Sequence, residues 1–286
     1  MSELAKRVLA SLALVPITLA AGWYGDWALA ALLSIAAAIS CWELFRIART
    51  GGVEPFVMVG VPMAAIIPLV IHARYRGVFA LGASSASIAF LVILAMSIWL
   101  RGPTRRPLAV AAVTVFGIVY TGAMLSFAYA IRYHPYTVGA AGGATLLVFP
   151  LLLTWTTDTG AYFVGRSVGR RKLIPSVSPG KSVEGALGGL ALAILVAWIF
   201  ERMVLIPVAN IAFAPGAVLL FGAVISVAAQ IGDLAESLLK REAGVKDSSR
   251  IIPGHGGVLD RLDSLLFVLP TAYWLLSVLR LVPVPG

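Results

Sequence analysis

Long apolar runs recur from one end of the chain to the other, and they constrain the fold more than any motif does. A bilayer core takes about 20 apolar residues per helix. Nine candidate spans can be drawn, at 8–23, 27–45, 56–73, 79–100, 107–131, 143–164, 185–200, 205–232 and 264–282. The 205–232 run is expected to continue as a helix beyond the bilayer. Of the 286 residues, 60% are hydrophobic and only 12% are charged, against about 25% charged in soluble domains. A soluble globule of this size could not hide so much apolar side chain, and a disordered chain would not contain it. The expectation is an all-α polytopic membrane protein with about nine transmembrane helices. Connections are short and no internal repeat stands out, so 1–286 reads as a single membrane domain. Within it, 1–140 supplies N-terminal helices and 141–286 the helices and loops that carry chemistry.

The charges are lopsided, 22 Lys and Arg against 13 Asp and Glu, a net +9. In a soluble protein that surplus would suggest nucleic acid; in a membrane protein it marks cytoplasmic loops. Placing the N-terminus inside and alternating sides puts 17 of the 22 basic residues on the inner face. Only Arg74, Arg76, Arg132, Arg202 and Arg280 fall outside. This bias supports an odd number of spans, a cytoplasmic N-terminus and an outward C-terminus. It leaves nucleic acid without support. Lys6 and Arg7 ahead of an apolar stretch ending near Ala20 and Ala21 loosely fit a signal peptide. A second span follows almost at once through Gly22–Trp27, which favours an uncleaved first helix. The single Cys41 permits no internal disulfide and no Cys-based metal site, and it reads as a small buried hydrophobe.

Two inner segments, 158–185 and 230–263, mix acid, base and glycine more densely than topology requires. Asp233, Glu236, Ser237 and Lys240 are spaced i, i+3, i+4 and i+7, hence on one helix face near the inner edge of the membrane. Ionisable groups at that depth are costly and usually mark a functional site. A helix-end carboxylate paired with Lys240 or Arg241 is the plainer explanation. Asp260 and Asp263 are three residues apart at the start of the last span, where carboxylates also complement the helix dipole. Three carboxylates from two helix ends make a hard-oxygen set suited to Mg²⁺. Asp158 lies inside an apolar segment beside Thr157, Thr159 and Gly160, as a functional group or as a polar contact between helices.

Two loops suit phosphate. SVSPGKSVEGALGG, residues 176–189, places Lys181 and Ser182 in a Gly/Pro-containing turn before an apolar helix. It is not a Walker A motif, because Pro175 stands where that pattern requires glycine. A Lys with free N–H groups at a helix start still binds phosphate. PGHGG, residues 253–257, can expose successive N–H groups as an anion nest, with His255 as donor or turn filler. His72 and His134 sit at outer edges and take no role. Ten bases in these segments suggest a polyanionic substrate, or attraction to anionic headgroups at about 1 kcal/mol each.

Ser237, Leu238, Leu239, Lys240, Arg241, Lys246, Asp247, Ser249, Ile252, Pro253, His255, Gly256, Gly257, Asp260, Arg261, Leu262 and Asp263 form a 27-residue pattern. With Asp158-Thr-Gly-Ala-Tyr162, Ser178-Pro-Gly-Lys181-Ser182, Glu184 and Gly185 upstream, it resembles the signature of the phosphatidate cytidylyltransferases, the CDP-diacylglycerol synthases. The specific resemblance covers roughly the C-terminal half. It implies condensation of CTP with phosphatidate to CDP-diacylglycerol and pyrophosphate in a helical membrane fold, as a homodimer; the charge placement puts the expected active site on the cytoplasmic face of the inner membrane. It implies Mg²⁺ on Asp233, Asp260 and Asp263, with the number of metal ions left open. The catalytic set expected from it is Asp233, Lys240, His255, Asp260, Arg261 and Asp263. The substrate-binding set is Asp158, Ser178, Lys181, Ser182, Arg241, Lys246, Asp247, Gly256 and Gly257. Two other readings compete. A CTP-dependent kinase of a polyprenol-type lipid would use related parts and release CDP. An ion-coupled transporter would use Asp158 and Asp233 within the membrane, but should show Gly/Pro-broken helices in both halves.

Overall fold

The structure, a computed structural model, describes residues 3–137, 139–252, 256–279 and 281–283. Helices dominate it. They are α1 (Glu3–Tyr24), α2 (Asp26–Thr50), α3 (Val57–Tyr75), α4 (Ala83–Leu100), α5 (Pro107–Arg132), α6 (Gly139–Val168), α7 (Val183–Ala209), α8 (Ala217–Glu242) and α9 (Leu259–Val278). Among the described residues, seven of these (α2, α3 and α5–α9) are long and apolar enough to cross a bilayer. The other two carry shorter apolar stretches, Leu14–Tyr24 and Ser84–Leu100. The all-α membrane class is therefore as expected. α5 and α7 each contain a π-helical stretch, at Ile118–Ala123 and Glu201–Ala209.

One expected span is corrected. The 205–232 run is not a single helix. α7 continues to Ala209, and the chain turns back through Asn210 and Gly216 before α8 begins. Pro207 lies in the last stretch of α7, while Asn210 and Gly216 take left-handed φ values of 54° and 79°. Pro215 stands just before the second of these. Apolar composition hid a break that local backbone chemistry imposes. The segment after the break, β3 (Ile211–Phe213), pairs antiparallel with β4 (Leu281–Pro283).

The chain forms two compact units. The first comprises Met1–Thr18, Asp26–Tyr129 and Leu239–Arg261. Its core is built around Phe45, fully buried with Cys41 and Ala64. A Cβ on Gly60 would lie 2.5 Å from the Phe45 ring, and Gly117 faces the same ring. The two glycines form the slot that admits it. The second unit comprises Leu19–Gly25, Ala130–Leu238 and Leu262–Gly286. There Phe149 stacks against Phe200 and Phe221, with centroids 5.0 and 4.9 Å apart and planes 7° from parallel.

The second unit depends on the contact between α6 and α7. In lipid, helices gain nothing from hydrophobic burial against each other, so small residues that permit close backbone approach drive their packing. Gly160 meets the backbone of Gly188 and Gly189; Gly185 meets that of Ala161 and Gly165. A Cβ on Gly189 would lie 2.6 Å from the Thr157 carbonyl. Between these helices the chain makes a hairpin of β1 (Lys172–Ile174) and β2 (Ser178–Ser182). The turn expected to hold Lys181 and Ser182 is thus largely a strand. Overpacking costs about 1–3 kcal/mol or more. Gly189→Leu should therefore lower the thermal midpoint in detergent by several degrees, whereas Gly180→Ala, with open space around it, should leave it unchanged.

Candidate active site

The second unit holds a cavity of about 570 Å³ between α6, α7, α8 and the β1–β2 hairpin. Its walls include Asp158, Tyr162 and Arg166 of α6, Lys181 and Ser182 of β2, and Gln230 and Asp233 of α8. Gly165 and Gly185 also line it, so the close helix contact forms part of the wall in backbone rather than side chain. Lys181 reaches Asp233, Nζ to Oδ2 at 2.6 Å. Ser237 Oγ donates to Asp233 Oδ1 at 3.4 Å, one turn along α8. The ion-pair partner of Asp233 is thus Lys181, from 52 residues upstream, and not Lys240 or Arg241 as the plainer explanation had it. Arg166 donates to the Tyr162 hydroxyl at 2.8 Å.

Ser182 does two things. It lines the cavity and caps α7, accepting a hydrogen bond from the Gly185 N–H at 3.1 Å. Glu184 accepts from the N–H groups of Arg170 and Arg171, which closes the base of the hairpin. Ser178 opens β2 opposite Ile174. Gly232 of α8 packs on the Asp263–Ser264 backbone of α9, where a Cβ would lie 2.7 Å from the Asp263 carbonyl. Asp233 and Asp263 therefore flank one helix crossing. Asp263 Oδ1 also accepts the Ser264 N–H at 2.6 Å.

The first unit holds the other half of the signature. Lys240, in the last turn of α8, meets Asp260, in the first turn of α9, Nζ to Oδ1 at 2.6 Å. Asp260 also accepts the Ser248 N–H at 3.0 Å, the Ser248 hydroxyl at 2.8 Å and the Gly257 N–H at 2.8 Å. Gly256 adopts φ +84°, a conformation that favours glycine, beside the Asp260 carboxylate. Pro253 and Gly254 of the expected anion nest lie outside the described residues, and the Gly257 N–H is taken by a carboxylate of the protein itself. Arg241, Lys246, Asp247 and Arg261 are exposed, and Arg241 donates to the Val245 carbonyl at 3.3 Å. His255 lies outside the described residues. Among those described, no group of three or more His, Cys, Asp or Glu side chains gathers as a metal site.

One residue at this site was not anticipated. Glu43, on α2, is fully buried. It accepts the N–H groups of Val258 and Leu259 at 3.1 and 2.6 Å and the Ser248 hydroxyl at 3.3 Å, and it is hydrogen-bonded to the Ser249 hydroxyl. Its only sequence signal is a lone carboxylate in the apolar run SCWELF.

The model of the cytidylyltransferase family matches residues 5–279. The chain belongs to that family. It is 49% identical over 135 residues to a phosphatidate cytidylyltransferase of Bacillus subtilis, an alignment covering 47% of this chain and 48% of that protein. It is 48% identical over 143 residues to one of Haemophilus influenzae (49% and 48% covered) and 41% identical over 160 residues to one of Staphylococcus epidermidis (56% of each). The chain thus spans about half the length of the curated relatives it matches.

The two ion pairs differ in exposure. The Lys181 and Asp233 side chains are 27% and 34% exposed; those of Lys240 and Asp260 are 11% and 7%. Breaking an accessible pair costs about 0–1 kcal/mol, whereas stranding a buried charge costs about 3–5 kcal/mol. In detergent, Asp233→Asn should unfold close to the wild-type temperature and Asp260→Asn clearly below it. Equal midpoints for the two variants would contradict this assignment.

Proposed function

We propose that the chain condenses CTP with phosphatidate, giving CDP-diacylglycerol and pyrophosphate for phospholipid biosynthesis. The observation that carries this reading is the cavity of the second unit. There a member of the cytidylyltransferase family lines one space with two cations, Arg166 and Lys181, and two carboxylates, Asp158 and Asp233. The names of its relatives in Bacillus and Haemophilus support the same substrates.

In the proposed reaction a phosphate oxygen of phosphatidate attacks the α-phosphorus of CTP in line. A new P–O bond forms, the bond from the α-phosphorus to the bridging oxygen breaks, and pyrophosphate leaves with that oxygen. The attacking group needs no strong base, since the second pKa of a phosphate monoester is about 6. The protein's task is positioning and charge neutralisation. Lys181 can exchange its bond to Asp233 for one to a triphosphate oxygen. The family resemblance supports a part in the reaction for the Lys240–Asp260 pair and for Arg241, Lys246 and Arg261 of the first unit. The residues also fit Mg²⁺, which takes one or two carboxylates and leaves positions for phosphate oxygens and water. Asp233 and Asp263, flanking the crossing of α8 and α9, would hold the ion, a reading supported by the place of Asp233 in the cavity wall. When bound, Mg²⁺ supplies further neutralisation of the triphosphate. The basic bias toward one face supports a site on the cytoplasmic side of the inner membrane, and the family resemblance supports a homodimer.

Purified protein given labelled CTP, phosphatidate and Mg²⁺ should release pyrophosphate and form a CDP-lipid. Asp233→Asn should reduce that turnover by about 10²-fold or more while remaining folded. Release of CDP together with a new lipid phosphate would replace this reading with a lipid kinase.

A further inference from the structure

Glu43 is buried, ionisable and 205 residues from its nearest hydrogen-bonding partner in the signature segment. Among the described residues its partners are neutral donors, with no ion pair. Burying a carboxylate in apolar surroundings is costly unless hydrogen bonds replace its water. Glu43 meets that condition at the start of α9, where the first N–H groups of a helix have no partner within the helix. Its charge also complements the helix dipole there.

A local cap is sterically excluded at this point. A Cβ on Gly257 would lie 2.5 Å from Glu43 Oε1 and would also strike Ser248 Oγ. Glycine at 257 has no side chain to cap α9, so Glu43 reaches across from α2 in its place. Asp260 completes the arrangement by reaching back to the Gly257 N–H, as the third residue of a capping box does. Ser248 couples the two carboxylates. Its Oγ lies 2.8 Å from Asp260 Oδ2 and 3.3 Å from Glu43 Oε2, and its N–H binds Asp260. A displacement of the segment from Glu43 therefore passes directly to Asp260 and its pair with Lys240.

We propose that Glu43 is a positioning residue, which holds Ser248, Ser249, Val258 and Leu259 in the places that present Asp260 to Lys240. This rests on the reading that the Lys240–Asp260 pair serves the nucleotidyl transfer. Glu43→Gln is the sharpest test because it preserves shape. Whichever way the amide turns, its NH₂ faces a backbone N–H, of Val258 or of Leu259, and one donor loses its acceptor. Ser249→Ala is the milder variant and removes a single donor.

Hydrogen exchange and steady-state kinetics on the full chain in detergent read the effect separately. In Glu43→Gln the amides of 248–252 and 256–259 should exchange at least about 10-fold faster while α6 and α7 stay protected. The kcat should fall about 10- to 100-fold, as when supporting partners of functional groups are lost. The KM for CTP should change by less than about 3-fold, because no residue lining the cavity of the second unit is altered. Ser249→Ala should move both readouts in the same direction by less, and it carries the test if Glu43→Gln does not fold. Unchanged exchange in this segment, or normal turnover in a folded variant, would overturn the role of Glu43. Wild-type protein assayed alongside separates the two proposals: wild type that makes no CDP-lipid overturns the function, whatever the exchange shows.

Discussion

In an apolar medium every backbone N–H and C=O must find a partner within the protein. Helices meet that demand along their length and fail at their ends. Three buried charged side chains serve backbone groups at such places. Arg132 donates to the carbonyls of Gly22 and Trp23 in the last turn of α1, at 2.7 and 3.0 Å. Glu201 accepts the Phe213 N–H at 2.7 Å, where α7 gives way to the turn before α8. Glu43 accepts the N–H groups at the start of α9. These residues look expensive one by one, since each is almost wholly removed from solvent. Each is offset by backbone dipoles that would otherwise be unsatisfied.

The same constraint links fold to chemistry. A loop that curls its N–H groups around carboxylates must bring backbone very near to side-chain oxygen. Only glycine fits at 257, and glycine is favoured at 256 for its positive φ. In the second unit, glycines serve another purpose. Gly160, Gly185 and Gly189 let α6 and α7 touch backbone to backbone, and the cavity opens at the end of that contact, where Gly165 and Gly185 leave room beside Lys181 and Asp233. Glycine-rich sequence in this chain therefore marks close approach more than flexibility.

The helical membrane class, the positions of most spans and the candidate site segments were legible in the sequence. Apolar runs of bilayer length have few alternatives, and the spacing of Ser237 to Asp263 is long enough to be specific. The break at 210–216 was obscured because Pro207, Asn210 and Gly216 sit in an otherwise apolar run. Partner choice was not legible either. Spacing along one helix made Lys240 a neighbour of Asp233, yet Lys240 turns to Asp260 and Lys181 supplies the cation for Asp233. Glu43 carried only the weak signal of a charge inside a span, far in sequence from the loop it holds.

The sequence by itself determined that the chain consists largely of membrane-length helices and that its candidate site residues cluster in 158–185 and 230–263. Periodicity, hydropathy and local spacing are short-range properties, and they suffice for both conclusions. Only the tertiary structure decided which carboxylate meets which lysine, and that the N–H groups of 257–259 are bound by carboxylates of the chain itself. Those contacts join residues 20 to more than 200 positions apart, and the packing of helices, rather than spacing along any one of them, brings their side chains within hydrogen-bonding reach.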